Sequence, residues 1–396
     1  MLFCGAKGPR APGSRSPHAA MKRGVLRSVV HIDSCAMKRS AFALIWALAI
    51  CAQSETRANE AVVTAASPPW DAQSRSVVDA RQRTFQSGAL TLGGTLYVPK
   101  IEGRIPAVIV LHAASSPTRD NPLYWHLVEM LPPLGIAVFV FDRRGSGESG
   151  GNLEDSDYAM LADDGISALR MLQRDHRIDP RRIGFWGLSQ GGWLSLLAIS
   201  RNAQAAFAIS ISAPMVTPDV QMNFAVANIL RIKGFSQAEV DQAVATRTAV
   251  DDFQRGRRDR ASAQSILDAA TTKPWFVHTY LEKTFKDPDR SGWAREMRHD
   301  PMATLHAVRQ PTLIIYGSAD PWVPVQASLE RLRASSARHP NVEVAVIAGA
   351  DHAMATSVSP ADQVDAALSA RQAPQSAAYF GLLGAWLEKQ RLARVR

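Results

Sequence analysis

Three short strings carry residue types that could do covalent chemistry. The first is Gly187-Leu188-Ser189-Gln190-Gly191, a serine with a glycine two residues away on each side. The second is Gly317-Ser318-Ala319-Asp320-Pro321-Trp322-Val323-Pro324, and the third is Gly349-Ala350-Asp351-His352. A serine alcohol is a weak nucleophile. It attacks a carbonyl only when a base takes its proton and an acid orients and stabilises that base. Ser189, Asp320 and His352 offer those functions in the chain order serine, acid, histidine, which suits acyl transfer. Asp351 competes for the acid role, but a neighbour in sequence does not easily reach the same imidazole; Asp219 is the other candidate. The charge that develops on an attacked carbonyl oxygen needs two backbone N–H donors. Gln190, next after the serine, is expected to supply one. Ala114, in His112-Ala113-Ala114-Ser115-Ser116, is expected to supply the other, with Ala113 as second choice. His112 is expected to order that turn through hydrogen bonds and not to act as a base.

Other chemistries find less support. Gly145-Ser146-Gly147-Glu148-Ser149-Gly150 has the spacing of a dinucleotide loop. However, Asp142-Arg143-Arg144 precedes its glycines and a polar loop, not a helix, follows them. The histidines are scattered without an H-E-x-x-H pair, so no metal is expected. Cys4, Cys35 and Cys51 all lie before residue 59, which leaves no thiolate site or disulfide framework in the body. The net charge is +9, but residues 1–58 hold nine Lys or Arg against two acids, so +7 of it sits there and +2 in the rest. A nearly neutral body gives no reason to expect a nucleic-acid partner. The run Arg255-Gly256-Arg257-Arg258-Asp259-Arg260 reads as a solvated face.

Each reactive residue must stand at the end of an element that holds it. Pro106–Leu111 is a continuous apolar run and Ala137–Phe141 a second, as buried parallel strands require, and Arg182–Leu188, Ala206–Ser212, Thr312–Tyr316 and Val342–Ile347 read as further strands. Helical patterns fall between them: Asn121–Pro132, Asp155–Arg174, Gln190–Ser200, Val325–Ala337 and Ser376–Arg391. Thr84–Ser87 and Thr95–Val98 are expected to form an edge hairpin turning at Gly93-Gly94. The alternation implies an α/β fold with a mostly parallel sheet covered by helices on both faces. Ser189, Asp320 and His352 then each follow a strand's carboxyl end. Residues 83–214 and 301–391 are expected to form this core. Residues 215–300 break the rhythm and are expected to form a helical insertion over the strand ends, where open α/β sheets place ligands. Its aromatic cluster, Trp275, Phe276, His278, Tyr280 and Trp293, reads as the insertion's own core, with an acyl or aromatic pocket as the alternative.

At the amino terminus, Met37-Lys38-Arg39-Ser40, the apolar run Ala41–Ala52 and Thr56-Arg57-Ala58 follow the basic, apolar, small-residue order of an export signal over 37–58. The apolar run is too short for a membrane-spanning helix. Residues 1–36 are rich in Gly, Pro, Ser and Arg and are expected not to belong to the native protein; 59–82 reads as a linker.

Taken together, these strings resemble the α/β-hydrolase superfamily over about residues 84–391. Phe141–Ser149 resembles the turn after its fourth strand, Arg182–Gly192 its nucleophile elbow and Pro311–Asp320 its acid loop. The flavour is that of the bacterial serine aminopeptidase, dienelactone hydrolase and esterase group, often exported. One departure is His112-Ala113-Ala114, where the family usually has histidine then glycine; the extra bulk would narrow the acceptable acyl groups. The resemblance implies Ser189, Asp320 and His352 as a catalytic triad, with Gln190 and Ala114 as oxyanion donors and no cofactor. It implies hydrolysis of a small ester through an acyl-serine intermediate. A peptidase, a thioesterase or a non-catalytic binding protein on the same fold are the alternatives.

Overall fold

The apolar runs become neighbouring strands of one sheet in the computed structural model, which describes residues 60–63, 78–356, 359–365 and 375–393. The segments 1–36 and 37–58 lie outside the described residues. The strands are β1 (Glu60–Val63), β2 (Val78–Ser87), β3 (Leu90–Pro99), β4 (Ile105–Leu111), β5 (Ala137–Phe141), β6 (Ile178–Leu188), β7 (Ala208–Ile211), β8 (Thr312–Gly317) and β9 (Val342–Ile347). They lie in the order β1-β9-β8-β7-β6-β4-β5-β3-β2. Only the β5–β3 and β3–β2 pairs are antiparallel; every other neighbouring pair is parallel. All residues of β4, β5 and β8 are buried, as a strand covered on both faces requires.

Two expectations change. The edge hairpin turns at Gly88, in the left-handed region at φ 59°, and not at Gly93-Gly94. Those two glycines lie inside β3 because a Cβ on Gly94 would come within 2.6 Å of the Phe139 ring. The stretch 59–82 is not all linker. Glu60–Val63 pairs in parallel with β9, and β2 begins at Val78. A four-residue strand leaves little pattern in sequence, and β2 looks polar because most of its side chains meet solvent at the sheet edge.

The helices are α1 (Trp125–Met130), α2 (Tyr158–Leu172), α3 (Gln190–Arg201), α4 (Pro218–Ile232), α5 (Gln237–Gln254), α6 (Arg260–Ala270), α7 (Gly292–Glu296), α8 (Pro301–Ala307), α9 (Val325–Ser335), α10 (Pro360–Gln363) and α11 (Ala377–Lys389). Alternate strand residues face opposite ways. Ile109, Leu111, Phe139 and Phe185 pack with Leu161 and Leu169 of α2 and Leu194 of α3. Val108, Val110, Trp186 and Leu313 pack with Leu127 of α1 and Tyr379, Leu383 and Leu387 of α11. Between β7 and β8, helices α4 to α6 build a separate core from Val226, Leu230, Val240, Leu267, Trp275 and Phe276. No helix among the described residues is long and apolar enough to cross a membrane.

Candidate active site

Strand β6 ends at Leu188 and α3 begins at Gln190, so one residue must redirect the chain. Ser189 does so at φ 58°, ψ −119°. A non-glycine residue there carries about 1–3 kcal/mol of strain, which the surroundings must hold in place. Its N–H donates to Ile211 O at 2.7 Å, and its carbonyl accepts from Gly192 N at 2.9 Å. The flanking glycines follow from close packing. A Cβ on Gly187 would collide with the Gly191 carbonyl, and one on Gly191 with the Leu111 carbonyl. The serine side chain is left partly exposed.

Asp320 follows β8 and His352 follows β9, so with Ser189 after β6 all three stand beyond carboxyl ends of strands that run the same way. His352 Nδ1 donates to Asp320 Oδ2 at 2.7 Å. The Asp320 carboxylate is fully buried, and Oδ1 accepts from the N–H groups of Trp322 (2.8 Å) and Val323 (3.1 Å). With Nδ1–H given to Asp320, the neutral ring has its lone pair on Nε2, the atom a base would use. Burial pulls the His352 pKa down, but the charge and hydrogen bond of Asp320 outweigh it and hold it above the usual imidazole value. The two loops press together at Gly317, where a Cβ would strike the carbonyls of Ala350 and Asp351. Ala319 N also donates to Ala350 O at 2.9 Å. The insertion steadies the acid loop: Gln221 and Asn228 of α4 donate to Trp322 O (3.0 Å) and Pro321 O (2.8 Å).

The competing acids are engaged elsewhere. Asp351 Oδ1 accepts from Ala353 N and Ala355 N at 2.8 and 2.7 Å, shaping the histidine loop. Asp219 lies 2.7 Å from Arg255 at the start of α4.

On the other side of Ser189, Gln190 opens α3 and Ala114 lies in the turn after β4. Ala113 N–H donates to the Tyr124 hydroxyl at 3.1 Å, which itself donates to Ser116 O at 2.6 Å. That engages the second-choice donor and favours Ala114. His112 Nε2 donates to Phe141 O at 2.5 Å, and burial, with the Arg143 charge, lowers its pKa to about 3, so it orders the turn as a neutral ring. Arg143 Nη1 donates to Gln190 Oε1 and Nη2 to Ala114 O, each at 3.0 Å. Arg143 and Tyr124 escaped the sequence reading. Nothing in Asp142-Arg143-Arg144 separates an inward arginine from Arg144, which pairs with Asp164 at 2.6 Å. One of the glycines that follow serves a carboxylate. Asp142 accepts from Arg119 N and Glu148 N at 2.9 Å each, and a Cβ on Gly147 would overlap it.

A mostly parallel sheet with helices on both faces and a serine elbow defines an α/β hydrolase. A family model described as serine aminopeptidase, S33, matches residues 108–357. This is more than half of the chain and contains every site residue above, and the chain belongs to that hydrolase family. Among curated relatives, the thiohydrolase aneE of Aspergillus aculeatus is 29% identical over 161 residues, 40% of this chain and 48% of that protein. An uncharacterised Escherichia coli protein from the traX-finO intergenic region is 24% identical over 231 residues, 57% of this chain and 76% of that one. The chain thus spans about half of the first relative's length. Among solved structures, a Pyrococcus furiosus esterase has a TM-score of 0.51 at 17% identity, covering 83% of this chain and 98% of its own. The Pyrococcus horikoshii acylaminoacyl peptidase has a TM-score of 0.51 at 15% identity, covering 81% and 43%. At these identities the likeness is one of fold.

Proposed function

We propose that this hydrolase cleaves a carboxylic ester through an acyl-Ser189 intermediate. The observation that carries the reading is Ser189 on a strained turn beyond the carboxyl ends of the strands, where the Asp320–His352 pair also stands. His352 Nε2 takes the Ser189 proton as Oγ attacks the ester carbonyl. The N–H groups of Gln190 and Ala114 stabilise the oxyanion. Collapse expels the alcohol, which takes the proton from His352; water then repeats the sequence on the acyl-serine and releases the acid. Asp320 keeps the imidazole oriented and stabilises its protonated form.

A peptidase reading needs a carboxylate in the insertion free to hold a substrate ammonium. Of the insertion's acids, Glu239, Asp251 and Asp252 are already engaged. Glu239 accepts from Ser236 at the start of α5, Asp252 pairs with Arg257 at 2.7 Å, and Asp251 accepts from Trp293 Nε1 at 2.6 Å beside Arg247. That counts against an ammonium site at these three acids. The Aspergillus relative's designation as a thiohydrolase makes a thioester the second reading. The basic-apolar-small order of residues 37–58 supports export before the enzyme acts.

Residues 59–396 and their Ser189→Ala variant should be assayed on nitrophenyl esters of several chain lengths, an acyl thioester and aminoacyl anilides. Ester turnover that disappears in the variant is expected, and turnover that survives in it overturns the reading. Faster anilide hydrolysis would move the assignment to a peptidase. For export, the mature chain should begin near Asn59 outside the cytoplasm; an intact leader retained inside the cell would refute it.

A further inference from the structure

The oxyanion side of the site rests on loops from three strands, and one side chain ties them together. Arg143 follows β5, which is separated from β6 by β4. From there its guanidinium reaches both the Ala114 turn after β4 and Gln190 after β6, with two hydrogen bonds of 3.0 Å. A planar fork of donors is suited to spanning two acceptors at fixed separation. Arg143 is 4% exposed, Gln190 7%.

Both acceptors are neutral carbonyl oxygens. The Glu296 carboxyl of α7, which Arg143 feels only through space, accepts from the Tyr158 hydroxyl at 3.4 Å, and its own burial favours its neutral form. The guanidinium therefore stays buried without a carboxylate in contact, an arrangement that costs free energy wherever the positive charge has no use. The hydrogen bonds also bear on direction. Ala113 O accepts from Ser116 N at 3.2 Å and Ala114 O from Arg143, so the peptides on either side of Ala114 are both held and its N–H has a set aim.

We propose that Arg143 is the positioning residue of the oxyanion hole, holding the Ala114 and Gln190 donors in register and leaving its positive charge behind the developing oxyanion. The proposal rests on the acyl-Ser189 reading. Its effect belongs to the transition state, because the carbonyl oxygen gains charge only as Ser189 attacks.

The test compares Arg143→Met, Arg143→Lys and Arg143→Ala with the wild type, using the best nitrophenyl ester and a fluorophosphonate that reports Ser189. Arg143→Met should lose about 100-fold in kcat with KM changed by no more than about 3-fold. Arg143→Lys keeps the charge but lacks the fork, and should recover about 10-fold of that loss. Millimolar guanidinium should restore part of kcat to Arg143→Ala. If these variants fail to fold, Gln190→Met removes one acceptor while leaving Arg143 in place, and should lower kcat by about 10-fold. Folded variants with unchanged kcat overturn the proposal. So does a loss that neither lysine nor guanidinium relieves and that follows the loss of folded protein, since that marks a structural brace. If fluorophosphonate does not label wild-type Ser189, the acyl-enzyme reading falls and this proposal with it; labelling with unaffected variants overturns this proposal alone.

Discussion

In the proposed mechanism the acid–base half of the site and its oxyanion half are held by different means. Asp320 and His352 would act through side chains, which backbone groups hold directly, the N–H groups of Trp322 and Val323 and the bonds that join the ends of β8 and β9, while Gln221 and Asn228 of α4 brace the acid loop. Ala114 and Gln190 would act through backbone N–H groups, and side chains tie down the segments that carry them: His112 within the turn, Tyr124 at the start of α1, and Arg143 from the loop after β5. A side chain can be aimed by the turn that carries it. A backbone N–H has no rotor of its own, and holding it to a fraction of an ångström requires groups brought in from outside the turn.

The contrast breaks first, and with the largest effect, at Asp320. Asp320→Asn keeps the shape but removes the charge, and should lower kcat by about 10³–10⁴-fold. It also sharpens the pH behaviour. His352 is a base only when neutral, so kcat/KM should rise with pH through a midpoint above the ordinary imidazole value, because Asp320 favours the protonated ring. In Asp320→Asn burial is opposed by charge only through the lesser pull of Asp351, and the midpoint should move down; a midpoint that stays in place would refute this account of His352. Outside both halves, Trp275 is 2% exposed in the core of the insertion. Trp275→Ala should cost about 3–5 kcal/mol in urea unfolding and leave acyl-chain preference unchanged. A changed preference would return Trp275 to the substrate pocket. The smallest effect belongs to Tyr124→Phe. It removes the partner of Ala113 N and Ser116 O and should cost about 1–3 kcal/mol of stability, with kcat per folded molecule falling by a few-fold.

Legibility in the sequence follows the same divide. The runs before Ser189 and Asp320 end in stretches buried on both faces, so their apolar character is continuous and the polar residues beyond them stand out, whereas β9 before His352 is only partly buried and carries Glu343. The turn that holds Asp320 could be read because its hydrogen bonds to Trp322 and Val323 span only two or three residues, whereas those from Gln221 and Asn228 cross 101 and 93. The bond from Arg143 to Gln190 crosses 47 residues, and no local pattern marks the arginine. Gly93-Gly94 resembled a turn because glycine permits one. Its actual reason, the space taken by the Phe139 ring, comes from a strand more than forty residues later. The strand Glu60–Val63 is too short to announce itself, and its partner, β9, lies nearly three hundred residues on.

The left-handed turn at Ser189 has a consequence for heritable change. A residue that strains the backbone where it stands is one the fold would shed if stability were the only test. Ser189→Gly removes the Cβ that makes φ 58° unfavourable. Against the greater freedom of glycine in the unfolded chain, it should leave the protein at least as stable while abolishing its nucleophile. An inactive descendant of this chain would therefore persist as a well-folded protein. Its loss of function would be invisible to any assay of folding and open only to one of chemistry.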